Sequence, residues 1–213
     1  MLWDITIKCL FDERLRSTIA HRIVECLNLA VPNSSACLRG SLADGRPDEY
    51  SDIDVLWVVD DLAAITVSRV REILSQAGEI VSLQVDPEVQ RSPRHRLIFV
   101  RFATLPLFWR IELKISSRTD ARSVSKAKST SELVPDWSVA ESAIANAVGA
   151  IKAWQRGMES LARRYLESAL DKLECEMASP NARHCLIQLS KRATQLEPHV
   201  APFAEDLQAM IAE

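Results

Sequence analysis

The stretch that decides the fold runs from residue 38 to residue 59 and reads LRGSLADGRPDEYSDIDVLWVV. Just before it, Ser35 to Leu38 is predicted to form a short strand. Residues 41–51 contain a glycine, a proline and many polar side chains, which predicts a loop with a helical turn at its start. The β-branched apolar run from Ile53 to Val59 then predicts a central strand buried on both faces.

Two aspartates flank the first residue of this predicted strand. Side chains alternate across a strand, so Asp52 and Asp54 are predicted to point to the same face. Two neighbouring carboxylates repel each other unless a cation lies between them. Mg²⁺ takes hard oxygen ligands of this kind while it keeps waters and accepts phosphate oxygens. The pair is therefore predicted to bind metal.

A third acid is predicted on another strand. Glu112 is the best candidate, because a two-metal site needs a further carboxylate. It stands between Arg110 and Lys114 on one strand face, and an acid flanked by two bases fits a face that looks into a metal and phosphate site. The opposite face of that strand is predicted to carry the apolar residues Trp109, Ile111, Leu113 and Ile115.

Gly40 and Ser41 follow the first short strand. A glycine there lets the backbone approach a ligand closely. The Ser41 hydroxyl and the N–H groups after it can hold phosphate oxygens, above all where a helical turn starts. Ten residues separate Ser41 from Asp52, enough for a turn, a loop and a return to a neighbouring strand.

The rest of the first half is predicted to contain two helices and three strands. The first helix spans Phe11 to Ala30 and has an apolar face of Leu15, Ile19, Ile23 and Leu27. The second spans Asp61 to Ala77 and is stopped by Gly78. The strands are Ile80 to Val85, Arg96 to Ala103 and Leu107 to Ile115, of which the last two are expected to pair.

The second half reads as helix throughout after a polar stretch, residues 116–130. Ser138 and Glu141 form a capping-box pattern. Four short amphipathic helices follow, which suggests an up-down bundle. The predicted fold class is α+β: a mixed sheet flanked by helices in residues 1–130, then a four-helix bundle in residues 131–213.

Composition narrows the class of protein. The 213 residues are 47% hydrophobic and 26% charged, an ordinary globular balance. The formal net charge is −3, without the basic excess of a protein that binds nucleic acid through phosphates. RNA and DNA are therefore not expected partners.

The cysteines and the apolar runs bear on the compartment. Five cysteines lie at none of the spacings of a CxxC or zinc motif, which favours free thiols in a reducing compartment. No apolar run approaches the roughly 18 residues of a membrane span. Met1 to Leu10 lacks the long apolar stretch of a secretory signal. We expect a cytoplasmic protein with no membrane partner.

The pattern of Gly40-Ser41, about ten residues and Asp52-Ile53-Asp54 resembles the signature of the DNA-polymerase-β-like nucleotidyltransferase superfamily. The run from Gly40 to Asp54 is similar to the small bacterial members, which include aminoglycoside and lincosamide nucleotidyltransferases and the minimal nucleotidyltransferases of toxin–antitoxin pairs. A helical C-terminal domain also fits them. The resemblance implies that Asp52 and Asp54 bind the catalytic metals and that Ser41, with Arg39 and Gly40, binds the triphosphate. Arg39 stands where the family more often has an apolar residue.

The implied reaction transfers a nucleoside monophosphate from a nucleoside triphosphate, expected to be ATP, to an acceptor hydroxyl, with pyrophosphate leaving. Two Mg²⁺ ions would be held by Asp52, Asp54 and Glu112, unless Glu112 accepts the hydroxyl proton instead. Lys114 and Lys152 are further candidates for the phosphates, although a solvated helix face is the competing interpretation for Lys152. Other candidate bases are Asp136 and Glu141.

Three kinds of acceptor compete. A small hydroxylated molecule, such as an aminoglycoside or lincosamide, comes first because it fits the short chain, the acidic isoelectric point of about 5.9 and the helical half as a lid. A toxin partner modified by an antitoxin-like adenylyltransferase comes second, and RNA third. The non-enzymatic alternative is a degenerate nucleotide-binding module. Whether two copies pair as a homodimer stays open.

Overall fold

The computed structural model describes residues 12–118, 137–177 and 179–211. These divide into two compact units: a sheet unit, with the described residues up to Trp137, and a helical unit, with those from Ser138 onward. The domain boundary predicted at residue 130 lies outside the described residues. The fold class is α+β, as the sequence predicted.

The sheet unit contains one mixed five-stranded sheet. Its order is β1-β2-β5-β4-β3, in which β2 and β5 run parallel and the other neighbours run antiparallel. The strands are β1 (Ser35–Leu38), β2 (Ile53–Val59), β3 (Ile80–Val85), β4 (His95–Phe102) and β5 (Ile111–Ser117). All five predicted strands are confirmed, with shifted ends for the last two.

Helix α1 spans Glu13–Ala30 and starts at Asp12, whose side chain accepts hydrogen bonds from the two N–H groups that begin the first turn. Three of the four residues predicted for its buried face, Ile19, Ile23 and Leu27, are buried, whereas the prediction was wrong for Leu15. Leu15 is 36% exposed, and Arg16 takes the inward position beside the apolar residues. The buried residues of α1 are Arg16, Ile19, Ala20, Ile23 and Leu27.

Two shorter helices complete the sheet unit: α2 (Gly40–Ala43), where a helical turn was predicted, and α3 (Val67–Leu74). The prediction of a helix from Asp61 was wrong by six residues. The Asp61 carboxylate accepts from two backbone N–H groups just after it and closes a turn there. The helix begins only at Thr66, whose hydroxyl accepts from the Arg69 N–H.

The two faces of the sheet differ. One face packs with α1 and α3 into the core and carries the alternating apolar residues of β2 and β5, namely Ile53, Val55, Trp57, Val59, Ile111, Leu113 and Ile115. The opposite face of β2, with Asp54, Leu56 and Val58, is only half-buried. The expectation that β2 is buried on both faces was therefore wrong, and the face that stays accessible is the one with the acid.

The start of β5 also differs from the prediction. The strand begins at Ile111 rather than Leu107, and Trp109 lies in a buried turn before it. The Trp109 N–H donates to the Pro106 carbonyl at 2.9 Å, and its indole N–H donates to the Glu49 carbonyl at 2.8 Å. These bonds close a turn and tie it to a loop, so the chain cannot extend there.

The helical unit has four α-helices, α4 (Val139–Gln155), α5 (Glu159–Lys172), α6 (Ala182–Leu196) and α7 (Ala201–Met210), the last preceded by a 3₁₀ turn, Pro198–Val200. Helix α4 packs against the other three. The Ser138 hydroxyl accepts from the Glu141 N–H at 2.9 Å, as the capping pattern predicted. No helix in the described ranges has the length and apolar character needed to cross a membrane.

Gly78 supplies a test of the core packing in the sheet unit. A Cβ on Gly78 would stand 2.7 Å from Cδ2 of the buried Phe102 ring, which closes the core at the end of β4. We expect Gly78→Ala to lower the free energy of unfolding by about 1–3 kcal/mol through overpacking, measured by urea denaturation. The matched control is the same substitution in a Phe102→Leu background, where the penalty should shrink. Equal penalties in both backgrounds would contradict the contact.

Candidate active site

Two acids lie side by side on the half-buried face of the sheet. Asp54 on β2 and Glu112 on β5 are direct register partners in the parallel pair. Neighbouring strands run about 4.8 Å apart, so the two side chains leave the same face from adjacent positions. Phe99 on β4 is the next residue in this row. The structure thus brings Glu112 to the face that carries Asp54.

Asp52 lies immediately before β2 and is fastened to the start of β5. Its Oδ1 accepts a hydrogen bond from the Arg110 backbone N–H at 3.0 Å. The Arg110 carbonyl accepts from the Ile53 N–H, also at 3.0 Å. One residue, Arg110, therefore holds both the carboxylate of Asp52 and the backbone that follows it.

The Arg110 side chain engages the third acid. Its guanidinium forms an ion pair with Glu112 and lies over the Phe99 ring, with Cζ 4.3 Å from the ring centroid. The Glu112 side chain is 30% exposed, so solvent screens the pair and its contribution to stability is small. What the pair does is orient the Glu112 carboxylate.

The Gly-Ser turn stands directly against Asp54. Gly40 has φ +60°, and a Cβ there would lie 2.5 Å from Oδ2 of Asp54. The Arg39 N–H donates to the Asp54 carbonyl at 2.8 Å, which fixes the turn to β2. The half-buried Ser41 follows in α2. Only a residue without a side chain fits at Gly40, because its backbone closely approaches the Asp54 carboxylate. Its close approach to a ligand stays a prediction.

The other predicted site residues that the structure describes are divided between the two units. Lys114 lies one row beyond Glu112 on the same sheet face, and Arg39 is exposed beside the Gly-Ser turn. Lys152 belongs to α4 of the helical unit and is 7% exposed, which excludes a solvated helix face. Its contact with nucleotide stays a prediction. Glu141 is a buried residue of α4, and Asp136 lies outside the described residues.

The donor set fits Mg²⁺ in kind. Within residues 12–118, 137–177 and 179–211, no three His, Cys, Asp or Glu side chains are grouped tightly enough to hold a metal ion. Mg²⁺ in proteins commonly uses only one or two carboxylates and takes waters and substrate phosphates for the rest. Asp52 and Asp54 carry carboxylate oxygens of this kind, and their binding of a metal stays a prediction, whereas Glu112 is paired with Arg110. A third ligand position for Glu112 stays a prediction.

Sequence reasoning missed Arg16, which reaches the segment before Asp52. Its Nη1 donates to the Asp48 carbonyl at 2.7 Å and to the Ser51 carbonyl at 3.1 Å. Its guanidinium also lies over the Trp109 ring, 4.9 Å from the centroid. The signal was present, because Arg16 stands one turn before Ile19 on an otherwise apolar helix face.

Comparison with known proteins adds little to this geometry. No protein-family model matches the sequence, and no curated protein matches it. Among the solved structures that resemble it distantly are Cid1 and the GLD-2/RNP-8 complex. Cid1, described as having RNA terminal uridylyl transferase activity, is 14% identical with a TM-score of 0.35, over 53% of this chain and 33% of that one. The GLD-2/RNP-8 complex gives 12% identity and a TM-score of 0.34, over 87% and 60%.

This chain therefore spans about a third of the Cid1 chain's length and three fifths of the chain matched in the GLD-2/RNP-8 complex. At these identities and TM-scores neither likeness identifies a function.

The contact between Gly40 and Asp54 can be tested against a second glycine. Gly45 also has a left-handed φ, +66°, but nothing lies within 4 Å of its Cβ position. We expect Gly45→Ala to cost about 1 kcal/mol of unfolding free energy from backbone strain alone. Gly40→Ala should cost about 1–3 kcal/mol more, because it also forces the Asp54 carboxylate aside. Chemical denaturation measures both.

A double mutant isolates the contact. In an Asp54→Ala background, Gly40→Ala should cost no more than Gly45→Ala does, since the carboxylate that it meets is gone. If the Gly40→Ala penalty is the same with and without Asp54, the turn does not press on that carboxylate.

Proposed function

We propose that this protein is a nucleotidyltransferase, which moves a nucleoside monophosphate from a nucleoside triphosphate to an acceptor hydroxyl. The observation that carries the proposal is the placement of Gly40 against the Asp54 carboxylate. It sets a glycine-serine turn, suited to phosphate oxygens, against an aspartate suited to Mg²⁺, and Asp52 stands two residues before that aspartate. A nucleotide held there by its triphosphate would have its phosphates and the metal ligands in one place.

Each residue of the site has a role in this reaction. Asp52 and Asp54 hold Mg²⁺, which when bound offsets phosphate charge and polarises the α-phosphate. The Ser41 hydroxyl donates to an oxygen of the β- or γ-phosphate. Lys114 and Arg39 are placed to offset further negative charge, one on the sheet face and the other beside the turn.

The transfer is a substitution at the α-phosphorus. The acceptor oxygen forms a bond to that phosphorus, and the bond from the α-phosphorus to the oxygen that bridges to the β-phosphate breaks. Pyrophosphate leaves with the electron pair of that bond. We assign the acceptor's proton to Glu112, which Arg110 orients and which lies beside Asp54 in the sheet.

The donor we propose is ATP, and the acceptor is a small hydroxylated molecule of the aminoglycoside or lincosamide kind. The overall charge supports a non-anionic acceptor. The formal net charge is −3, so the chain has no basic excess. A polyanion such as RNA would not find the extended basic surface that its phosphate contacts need.

The first test removes the charge of the aspartates without changing their size. We expect Asp52→Asn and Asp54→Asn each to lower turnover by a factor of about 10³ or more, because the transition-state charge is no longer offset. The assay follows pyrophosphate release from each nucleoside triphosphate with Mg²⁺ and a panel of acceptors, and mass spectrometry identifies the product. Thermal unfolding checks that the variants stay folded.

Asp60→Asn is the matched control, since Asp60 is an exposed acid that directly follows the same strand and pairs with Arg118. It should leave turnover unchanged. The proposal is wrong if the wild-type protein releases no pyrophosphate with any donor or acceptor. Transfer to a protein or an RNA, but to no small molecule, would overturn the proposed acceptor and leave the reaction class standing.

Glu112→Gln tests the role of the third acid. If Glu112 accepts the proton, turnover should fall by a factor of about 10²–10⁴ while the affinity of the nucleotide-free protein for Mn²⁺ stays unchanged. Electron paramagnetic resonance of free Mn²⁺ measures that affinity. A loss of Mn²⁺ affinity together with turnover would reassign Glu112 as a metal ligand.

A further inference from the structure

Arg16 is a buried cation whose guanidinium, within the described part of the chain, donates to backbone carbonyls rather than to a carboxylate. It is 1% exposed, and a cation so far from water is costly unless hydrogen bonds replace its hydration. Burial lowers the pKa of its guanidinium, and the nearby charge of Glu13, followed by those of Asp48 and Asp52, opposes that shift. The residue therefore occupies a position that the apolar face of α1 would otherwise fill with a hydrophobic side chain.

The bonds that compensate this burial all go to one short segment. Arg16 donates to the carbonyls of Asp48 and Ser51, which lie 32 and 35 residues further along the chain. Its planar group lies over the Trp109 ring at the same time. A planar guanidinium can lie flat over a ring while its N–H groups bind two carbonyls, whereas an ammonium has no planar face to lie on the ring.

Trp109 holds the same segment from the other side. Its indole N–H donates to the Glu49 carbonyl at 2.8 Å. The segment also closes on itself, because the Ser51 hydroxyl donates to Oδ1 of Asp48 at 2.7 Å and the Tyr50 N–H donates to the same oxygen at 3.1 Å. Residues 48–51 are thus fixed by α1, by the turn before β5 and by their own turn.

The 48–51 segment and Trp109 are each adjacent in sequence to a residue of the site. Ser51 directly precedes Asp52, and Trp109 directly precedes Arg110, whose N–H binds Oδ1 of Asp52. Movement of residues 48–51 would therefore displace the Asp52 backbone, and movement of Trp109 would displace the donor to its carboxylate.

We infer that Arg16 and Trp109 form a latch that positions Asp52 to bind the divalent metal, which makes Arg16 a positioning residue of the site. The latch consists of Arg16, Trp109 and residues 48–51. The inference rests on the proposed function for its link to catalysis, but its link to metal binding can be measured without turnover. A residue that served only to tie α1 to a loop would affect stability and leave metal affinity alone.

The experiment compares Arg16→Lys and Trp109→Phe with Arg14→Lys, a conservative change at an exposed arginine of the same helix. Arg16→Lys keeps the charge but loses the planar group that lies over the Trp109 ring. Trp109→Phe keeps a ring under the guanidinium but loses the bond to Glu49. Mn²⁺ binding to the nucleotide-free protein is measured by electron paramagnetic resonance, well below the unfolding temperature of each variant.

We expect Arg16→Lys to weaken Mn²⁺ binding by a factor of about 10–100, as removal of a group that orients a metal ligand commonly does. Trp109→Phe should weaken it less, and Arg14→Lys should not change it. In turnover, Arg16→Lys should need a higher Mg²⁺ concentration for half-maximal rate, and saturating Mg²⁺ should restore part of the lost rate. Amide hydrogen exchange at residues 48–53 should speed up in both latch variants.

The outcomes separate the two proposals. If Arg16→Lys is less stable than wild type but binds Mn²⁺ as tightly, the latch is overturned while nucleotidyl transfer stands. If the wild-type protein transfers no nucleotide, yet Asp52→Asn and Arg16→Lys both weaken Mn²⁺ binding, the proposed function fails and the latch stands. If Arg16→Lys does not fold, the test rests on Trp109→Phe, and an unchanged Mn²⁺ affinity in that variant overturns the latch. The latch is also overturned if the wild-type protein binds no Mn²⁺.

Discussion

The parallel pairing of β2 with β5 is the constraint on which the rest of the site depends. It makes Asp54 and Glu112 register partners, and at its start Arg110 bonds to the Asp52 carboxylate and to the Ile53 N–H. A slip of one residue would turn either acid into the core, because side chains alternate with a period of two. The apolar face of the same two strands prevents that slip, since burial of Ile53, Ile111 and their neighbours fixes the register.

The core and the site are therefore two faces of one sheet. On one face the alternating apolar residues pack with α1 and α3, and on the other Asp54 meets the Gly-Ser turn at Gly40. The same helix that covers the core sends Arg16 to the segment before Asp52. In the sheet unit the elements that stabilise the fold also position the residues proposed to bind metal. A substitution in α1 can therefore change metal binding without contacting the substrate.

Much of this was available from the chain alone. The apolar runs of β2 and β5, the glycine-serine turn, the strand face of Glu112 and the Ser138 cap all depend on neighbours in sequence, so they can be predicted from local patterns such as the alternation of side chains. The same kind of sequence pattern gave wrong predictions for the start of α3 and for the start of β5. Each is set by a particular hydrogen bond that competes with the regular pattern, one accepted by the Asp61 carboxylate and one donated by the Trp109 indole.

What the sequence by itself determined is the alternation that separates acids from core and the spacing of Gly40, Ser41, Asp52 and Asp54. What only the tertiary structure decided is which strands are neighbours, and therefore that Glu112 lies beside Asp54, that the Arg110 N–H binds the Asp52 carboxylate, and that Arg16 binds the 48–51 segment. The physical reason is distance along the chain. A local sequence pattern indicates whether a side chain will be buried or polar, but it does not name the hydrogen-bonding partner. In these contacts the partner lies 32 to 58 residues away, and only the folded backbone brings the two together.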